Sequence, residues 1–213
     1  MKKATSKQIK EIKEKFIQKY SNAVTELNYN NSYELVIAVL LSAQCTDKRV
    51  NILTPALFTK YPDAQSLADA DIDDIKKFIN TCSFFNNKAK NMLAMAKRVV
   101  EVYDNKIPLD EKELITLAGV GQKTANVVMI ELTNANLMAV DTHVFRVSHR
   151  LGLSDDKTAI RTEETLSRKF KTNLHTLHQG MVLFGRYICR AKNPKCDECF
   201  ISEYCKSKES FKV

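Results

Sequence analysis

Apolar side chains recur along most of the chain at helical spacing, and strand-like alternation is scarce. Ile9, Ile12, Phe16 and Tyr20 share one face of a basic amphipathic segment over 5–27, which predicts a helix packed against another element. Leu35-Val36-Ile37-Ala38-Val39-Leu40-Leu41 is apolar on every side, the pattern of a central buried helix, and Asn31-Ser32-Tyr33-Glu34 offers it a start of capping-box type. Shorter helices are predicted over 48–60, 64–69 and 71–80, separated by Pro62 and by acidic starts such as Asp71. A long helix follows over 87–104, then a short one at Asp110–Leu114, another from Gln122, and three more over 143–151, 156–170 and 174–189. With only five glycines and four prolines in 213 residues, the expected class is all-α.

The stretch from Leu114 to Arg150 carries the densest candidate chemistry. In Leu117-Ala118-Gly119-Val120-Gly121 two glycines flank one small apolar residue, so the backbone can turn sharply and nothing beyond Cα obstructs an approaching phosphate. The helix that starts at Gln122 then presents free amides and a positive dipole end, which together favour an anion. Lys123 lies in its first turn, where the dipole disfavours an ammonium charge. A neutral amine there can act as a Schiff-base nucleophile. Asp141, between the apolar runs of Val140-Asp141-Thr142-His143-Val144, is placed to cap the next helix and stay ionised. Taken singly, each has a plainer reading: a solvated lysine and a structural N-cap.

Charge sharpens this picture. Thirty-three Lys and Arg against 25 Asp and Glu give a net charge of +8 and a pI near 9.1, which favours a polyanionic partner over the alternative of a merely solvated basic surface. The N-terminus is charged throughout and has no secretory h-region, and no run of eighteen apolar residues is present, so a soluble cytoplasmic protein is expected. In such a compartment clustered cysteines are more often metal ligands than disulfides. Cys189, Cys196, Cys199 and Cys205 form C-x6-C-x2-C-x5-C, and Cys₄ chemistry leaves zinc and an iron–sulfur cluster both open. Arg190, Lys192 and Lys195 lie between the first two of these ligands, where a tight loop can hold cations toward a phosphate backbone. Cys45 and Cys82 read as buried thiols, and His175 and His178 as surface histidines. Gln44 reads as a capping amide and Phe84 as a core side chain.

The strings LAGVGQKTANVV (117–128), VDTHVFR (140–146), LLSAQCTD (40–47) and TCSFFNNKA (81–89), with the cysteine spacing, closely resemble the endonuclease III family of DNA glycosylases. The resemblance covers nearly the whole chain and departs from the family pattern at Ala118, Cys82 and Ser83. It implies a two-lobed helix-hairpin-helix fold, with a six-helix lobe over 25–135 and a lobe from 1–24 plus 136–213 that holds a [4Fe–4S] cluster on the four cysteines. It further implies base excision from damaged double-stranded DNA, with oxidised pyrimidines as substrates, and cleavage at abasic sites by β-elimination. On the same resemblance Lys123 is the nucleophile and Asp141 the charge stabiliser. Gln44 fills the gap left by the extruded nucleotide, Phe84 is an apolar wedge, and Gly119, Gly121 and Thr142 contact DNA. A nucleoid-associated monomer is expected. Two other readings are an adenine glycosylase, which generally lacks the lysine and carries a further domain, and a helix-hairpin-helix module that binds DNA without catalysis.

Overall fold

The structure, a computed structural model, describes residues 3–211. Eleven α-helices are defined among them: α1 Ser6–Lys19, α2 Ser32–Ser42, α3 Asp47–Lys60, α4 Ala64–Ala68, α5 Ile72–Ile79, α6 Phe85–Tyr103, α7 Glu111–Leu114, α8 Gln122–Thr133, α9 Thr142–Arg150, α10 Ala159–Phe170 and α11 Leu174–Tyr187. The described residues contain no strand, and no helix among them is long and apolar enough to cross a membrane.

Side-chain caps define most of the helix starts. Thr5, Asn31, Thr46, Asp63, Asp71, Asp110, Asp141 and Thr158 each accept an amide hydrogen bond from the first turn they precede. Two expectations change. The first helix stops at Lys19 rather than at 27, because the chain turns through Ser21-Asn22 and Ala23 donates to the Tyr20 carbonyl. At α2 only half of the expected capping box forms: Asn31 accepts from Glu34, while the Glu34 carboxylate accepts from the backbone and side chain of Asn30.

The chain divides into two compact units. One runs from Glu26 to Thr133, and the other joins the residues before Glu26 to those from Asn134 on. In the first, every residue of α2 from Tyr33 to Leu41 is buried, and α2 packs against α3, α6 and α8. That explains its lack of amphipathic character: a helix covered all round has no polar face to keep. Lys88 of α6 is only 5% exposed, and its Nζ donates to the carbonyls of Leu41 and Ala43, both at 2.7 Å. A buried cation thus satisfies the bare carbonyls at the α2 C-terminus and fixes the turn that follows.

In the second unit α11 packs on α9 and α1, and α10 packs on both of the latter. Phe16, Phe184 and Phe200 meet edge to face with centroids 5.3–5.5 Å apart, so one ring from the C-terminal cysteine loop is keyed into the helical core. The histidines of α11 are not surface residues. His178 is 3% exposed, with Nδ1 2.8 Å from the Ala139 carbonyl, because it shares the buried face of Leu174, Leu177 and Met181.

Close approach of α9 and α11 depends on Gly185. A Cβ at this position would lie 2.8 Å from His143 Cβ and 3.2 Å from its Cα. Gly185→Ala is therefore expected to overpack the contact and cost about 1–3 kcal/mol. Thermal unfolding checks this, at about 2–4 °C of lowered Tm per kcal/mol in a chain of this size.

Candidate active site

The hairpin between α7 and α8 closes without the proline that the family pattern has at Ala118. Leu117 N–H donates to Leu114, Val120 N–H donates to Leu117, and the Leu117 and Val120 side chains are both buried. The two glycines serve different ends. Gly119 has φ +81°, and a Cβ there would lie 2.8 Å from Leu40 Cδ1 and 2.9 Å from Asn91 Cβ, so α2 and α6 require glycine. Gly121 has nothing within 4 Å of a built Cβ, so packing does not demand a glycine there. It opens onto the start of α8, whose first-turn amides have no acceptor inside the helix. Gln122 reaches back to Glu111 and forward to Asn126, which ties α7 to α8 beside that opening. Lys123 is exposed, and its ammonium has no ion-pair partner among the described residues.

Asp141 is the N-cap of α9. It is half-buried, and its Oδ1 accepts from Val144 N–H at 2.8 Å, while the exposed Thr142 is the first residue of the helix. Further along α9 two arginines, which the sequence did not single out, hold the chain that leads into the cysteine loop. Arg146 donates through Nε to the Cys189 carbonyl at 2.9 Å and through Nη2 to that of Gly185 at 2.7 Å. Arg150 donates through Nη1 to the Arg190 carbonyl at 2.7 Å and lies 3.3 Å from Cys189 Sγ. Their spacing of four places both on one face, a signal that the VDTHVFR string overshadows.

Gln44 and Phe84 both lie in the unit that contains α2, and both have left-handed backbones, with φ 55° and 57°. Gln44 is exposed and makes no side-chain hydrogen bond among the described residues, so it does not act as a capping amide. Lys88 takes that role. Phe84 is 62% exposed, which corrects the reading of it as core. Cys82, two residues earlier, is the buried anchor of that loop, whereas Cys45 is only half-buried.

The four C-terminal thiols line one cavity together with Ile188, Pro194 and Arg150. Four soft sulfur donors around one cavity suit a thiolate-bound metal group, the donor set that zinc and iron–sulfur clusters both take. Burial, reinforced by the neighbouring thiols, pushes Cys199 up to about 11 and also raises Cys205. Four thiolates gathered in this loop repel one another until a cationic core binds them. The loop cations differ in availability. Lys195 pairs with Glu198 at 3.0 Å and Arg190 Nη2 donates to the Asn193 carbonyl, while the exposed Lys192 has no ion-pair partner among the described residues.

Residues 37–172 match the description of the HhH-GPD superfamily base excision DNA repair protein, and residues 189–205 match the iron-sulfur binding domain of endonuclease III. Endonuclease III of Rickettsia conorii is 43% identical over 92% of this chain and 94% of its own length. That of Bacillus subtilis is 40% identical over 94% and 92%. Among solved structures, a trapped endonuclease III–DNA covalent intermediate superposes with a TM-score of 0.91 at 36% identity, covering 97% of this chain and 98% of the other. A non-covalent endonuclease III–DNA complex gives 0.90 at the same identity and coverage.

His143 connects these parts to pH. A guanidinium only donates, so the 3.1 Å contact from Arg146 Nη2 requires His143 Nδ1 to accept, which is the neutral tautomer. Burial first, then the charges of Arg146 and Arg186, hold its pKa below the ordinary 6.5, opposed by Asp141. The unfolded chain therefore takes up this proton more readily than the folded one. The stability contribution is complete above the unfolded value of 6.5 and is lost as pH falls below it toward the folded value. Melting temperature measured against pH should show this acid-side loss in the native chain, and a smaller loss in His143→Asn, which keeps an acceptor without a titrating ring.

Proposed function

The chain belongs to the endonuclease III family within the HhH-GPD superfamily, DNA glycosylases with AP lyase activity that act in base excision repair, and from that premise we propose how its residues divide the work. The substrate is double-stranded DNA containing oxidised pyrimidines or abasic sites, and one chain acts as a monomer on chromosomal DNA. Lys123 is the nucleophile and Asp141 the electrostatic stabiliser. The observation that carries the reading is the unpaired Lys123 amine in the first turn of α8, two residues after the open glycine Gly121.

With the damaged nucleotide extruded, the glycosidic bond breaks through an oxocarbenium-like sugar. The Asp141 carboxylate has Oδ1 fixed by the Val144 amide, which leaves Oδ2 to stabilise the developing positive charge. Lys123 in its amine form attacks C1′, the base leaves with the electron pair of the glycosidic bond, and the resulting aminal opens by breaking C1′–O4′, with O4′ taking a proton, to give a protonated Schiff base. That imine acidifies the C2′ proton, whose removal expels the 3′ phosphate by β-elimination. Phosphate binds at the amides of Gly121, Gln122 and Lys123, where the helix dipole adds to the hydrogen bonds. Gln44 and Phe84, both exposed on left-handed turns, enter the duplex as the base leaves it, and filling that space offsets part of the unstacking cost of a few kcal/mol.

The cofactor is a [4Fe–4S] cluster, which the four thiols lining one cavity fit. When bound, it supplies a rigid cross-link among Cys189, Cys196, Cys199 and Cys205. Lys192, on the loop so formed, neutralises a backbone phosphate, with Arg190 and Thr142 as further contacts and Lys195 weakened in that role by Glu198.

Lys123→Gln should abolish both the borohydride-trapped covalent complex with abasic DNA and strand cleavage, with duplex affinity largely retained. Undiminished trapping would remove Lys123 from the chemistry. Lys192→Ala should weaken binding to damaged and undamaged duplexes by similar factors, and reduce the log–log salt slope by about one. A titration series across salt concentration reads that slope directly, and an unchanged slope rules out the phosphate contact.

A further inference from the structure

Two thiols that the glycosylase chemistry leaves unused lie against each other. Cys45 follows Gln44 in the turn after α2, Cys82 stands two residues before Phe84, and their sulfurs are 3.4 Å apart across a sequence separation of 37. Neither belongs to the C-terminal cysteine loop, and both fall in the unit that spans Glu26 to Thr133. The two are unequally placed. Cys45 is half-buried and open to a small reagent, whereas Cys82 is 3% exposed. Burial, and then the contact with Cys45, pushes Cys82 up to about 11, against the charges of Lys88 and Arg49, so it waits as a thiol behind its more accessible partner. Accessible attacking sulfur and sheltered resolving sulfur are the two parts that a thiol–disulfide exchange site needs.

We propose that Cys45 and Cys82 form a reversible thiol–disulfide site, oxidised by small disulfides, whose closed form ties the Gln44 turn to the Phe84 loop and slows base excision from duplex DNA. The Cys45 thiolate attacks one sulfur of the small disulfide and expels the other as a thiolate. Cys82 then gives up its proton, attacks Cys45 Sγ and expels the second small thiolate. The two protein sulfurs lose two electrons, and the reagent gains them as two thiols. Closure brings the sulfurs from 3.4 Å to about 2.05 Å. Residues 43–45 and 81–84 lie outside the helices, so the shift falls on turn backbone rather than on α2 or α6. The effect on excision rests on the duplex-entering roles proposed above for Gln44 and Phe84: two groups that move into the helix from separate loops become one constrained body.

The test uses the holoenzyme with its cluster in place, treated anaerobically with glutathione disulfide. The expected result is loss of two free thiols, a mass lower by two hydrogens, a cross-linked peptide joining Cys45 to Cys82, and loss of most of the excision rate, all restored by dithiothreitol. Cys45→Ser should keep its excision rate through the same treatment. Glutathione that remains attached at Cys45, two thiols that stay free, or a disulfide that leaves excision unchanged each overturn the proposal. The thiol count and mass need no substrate. A reduced enzyme with no excision at all would therefore overturn the glycosylase reading itself, whereas the thiol count and mass alone overturn or uphold closure of the pair.

Discussion

Two guanidinium groups one turn apart on α9 hold the second unit in working order. Arg146 and Arg150 donate to the carbonyls of Cys189 and Arg190, and Arg146 also reaches Gly185 near the end of α11. Each carbonyl they take lies where a helix ends or a loop begins, so each would otherwise need water or another donor. The same nine-residue helix opens on Asp141. The carboxylate at one end and the metal-binding loop at the other are therefore coupled through a rod about 13 Å long. Gly185 is the steric condition for this, because no larger residue lets α11 come near enough for its carbonyl to meet Arg146.

In the other unit the corresponding constraint is the complete burial of α2. Because no face of α2 meets water, its C-terminal carbonyls must be satisfied from within, and Lys88 does this from α6. A buried ammonium is costly unless its hydrogen bonds are made, so the pairing holds the turn carrying Gln44 in one conformation. Leu40 of the same helix fills the space that a side chain at Gly119 would occupy, so the hairpin before Lys123 rests on α2 as well. One apolar segment thus sets both the exposed glutamine and the exposed lysine. Left-handed backbones at Gln44, Phe84 and Gly119 mark where the chain leaves its regular elements to present them.

Much of this was written locally. The all-round apolar run at 35–41, the eight Ser/Thr/Asp/Asn-type starts and the cysteine spacing each report a short-range preference that a helix or a metal loop turns directly into structure, and the family strings placed Lys123 and Asp141 within it. What local pattern misjudged was exposure and partnership. Phe84 reads as core, yet its left-handed position at the head of α6 turns it outward. His178 reads as polar surface, yet its register with Leu174 and Met181 buries it. Gln44 reads as a cap until Lys88, 44 positions away in the chain, takes its place.

Sequence alone therefore determined the helical class, the helix starts and the cysteine motif, because these depend on residues within a turn or two of one another. Only the tertiary structure decided that Arg146 and Arg150 grip the cysteine loop, that Gly119 serves packing while Gly121 faces open space, and that Cys45 meets Cys82. Those outcomes depend on contacts between segments tens of residues apart. Their energies come from burial and from satisfying carbonyls that another helix leaves bare, and no local window of the chain contains both partners.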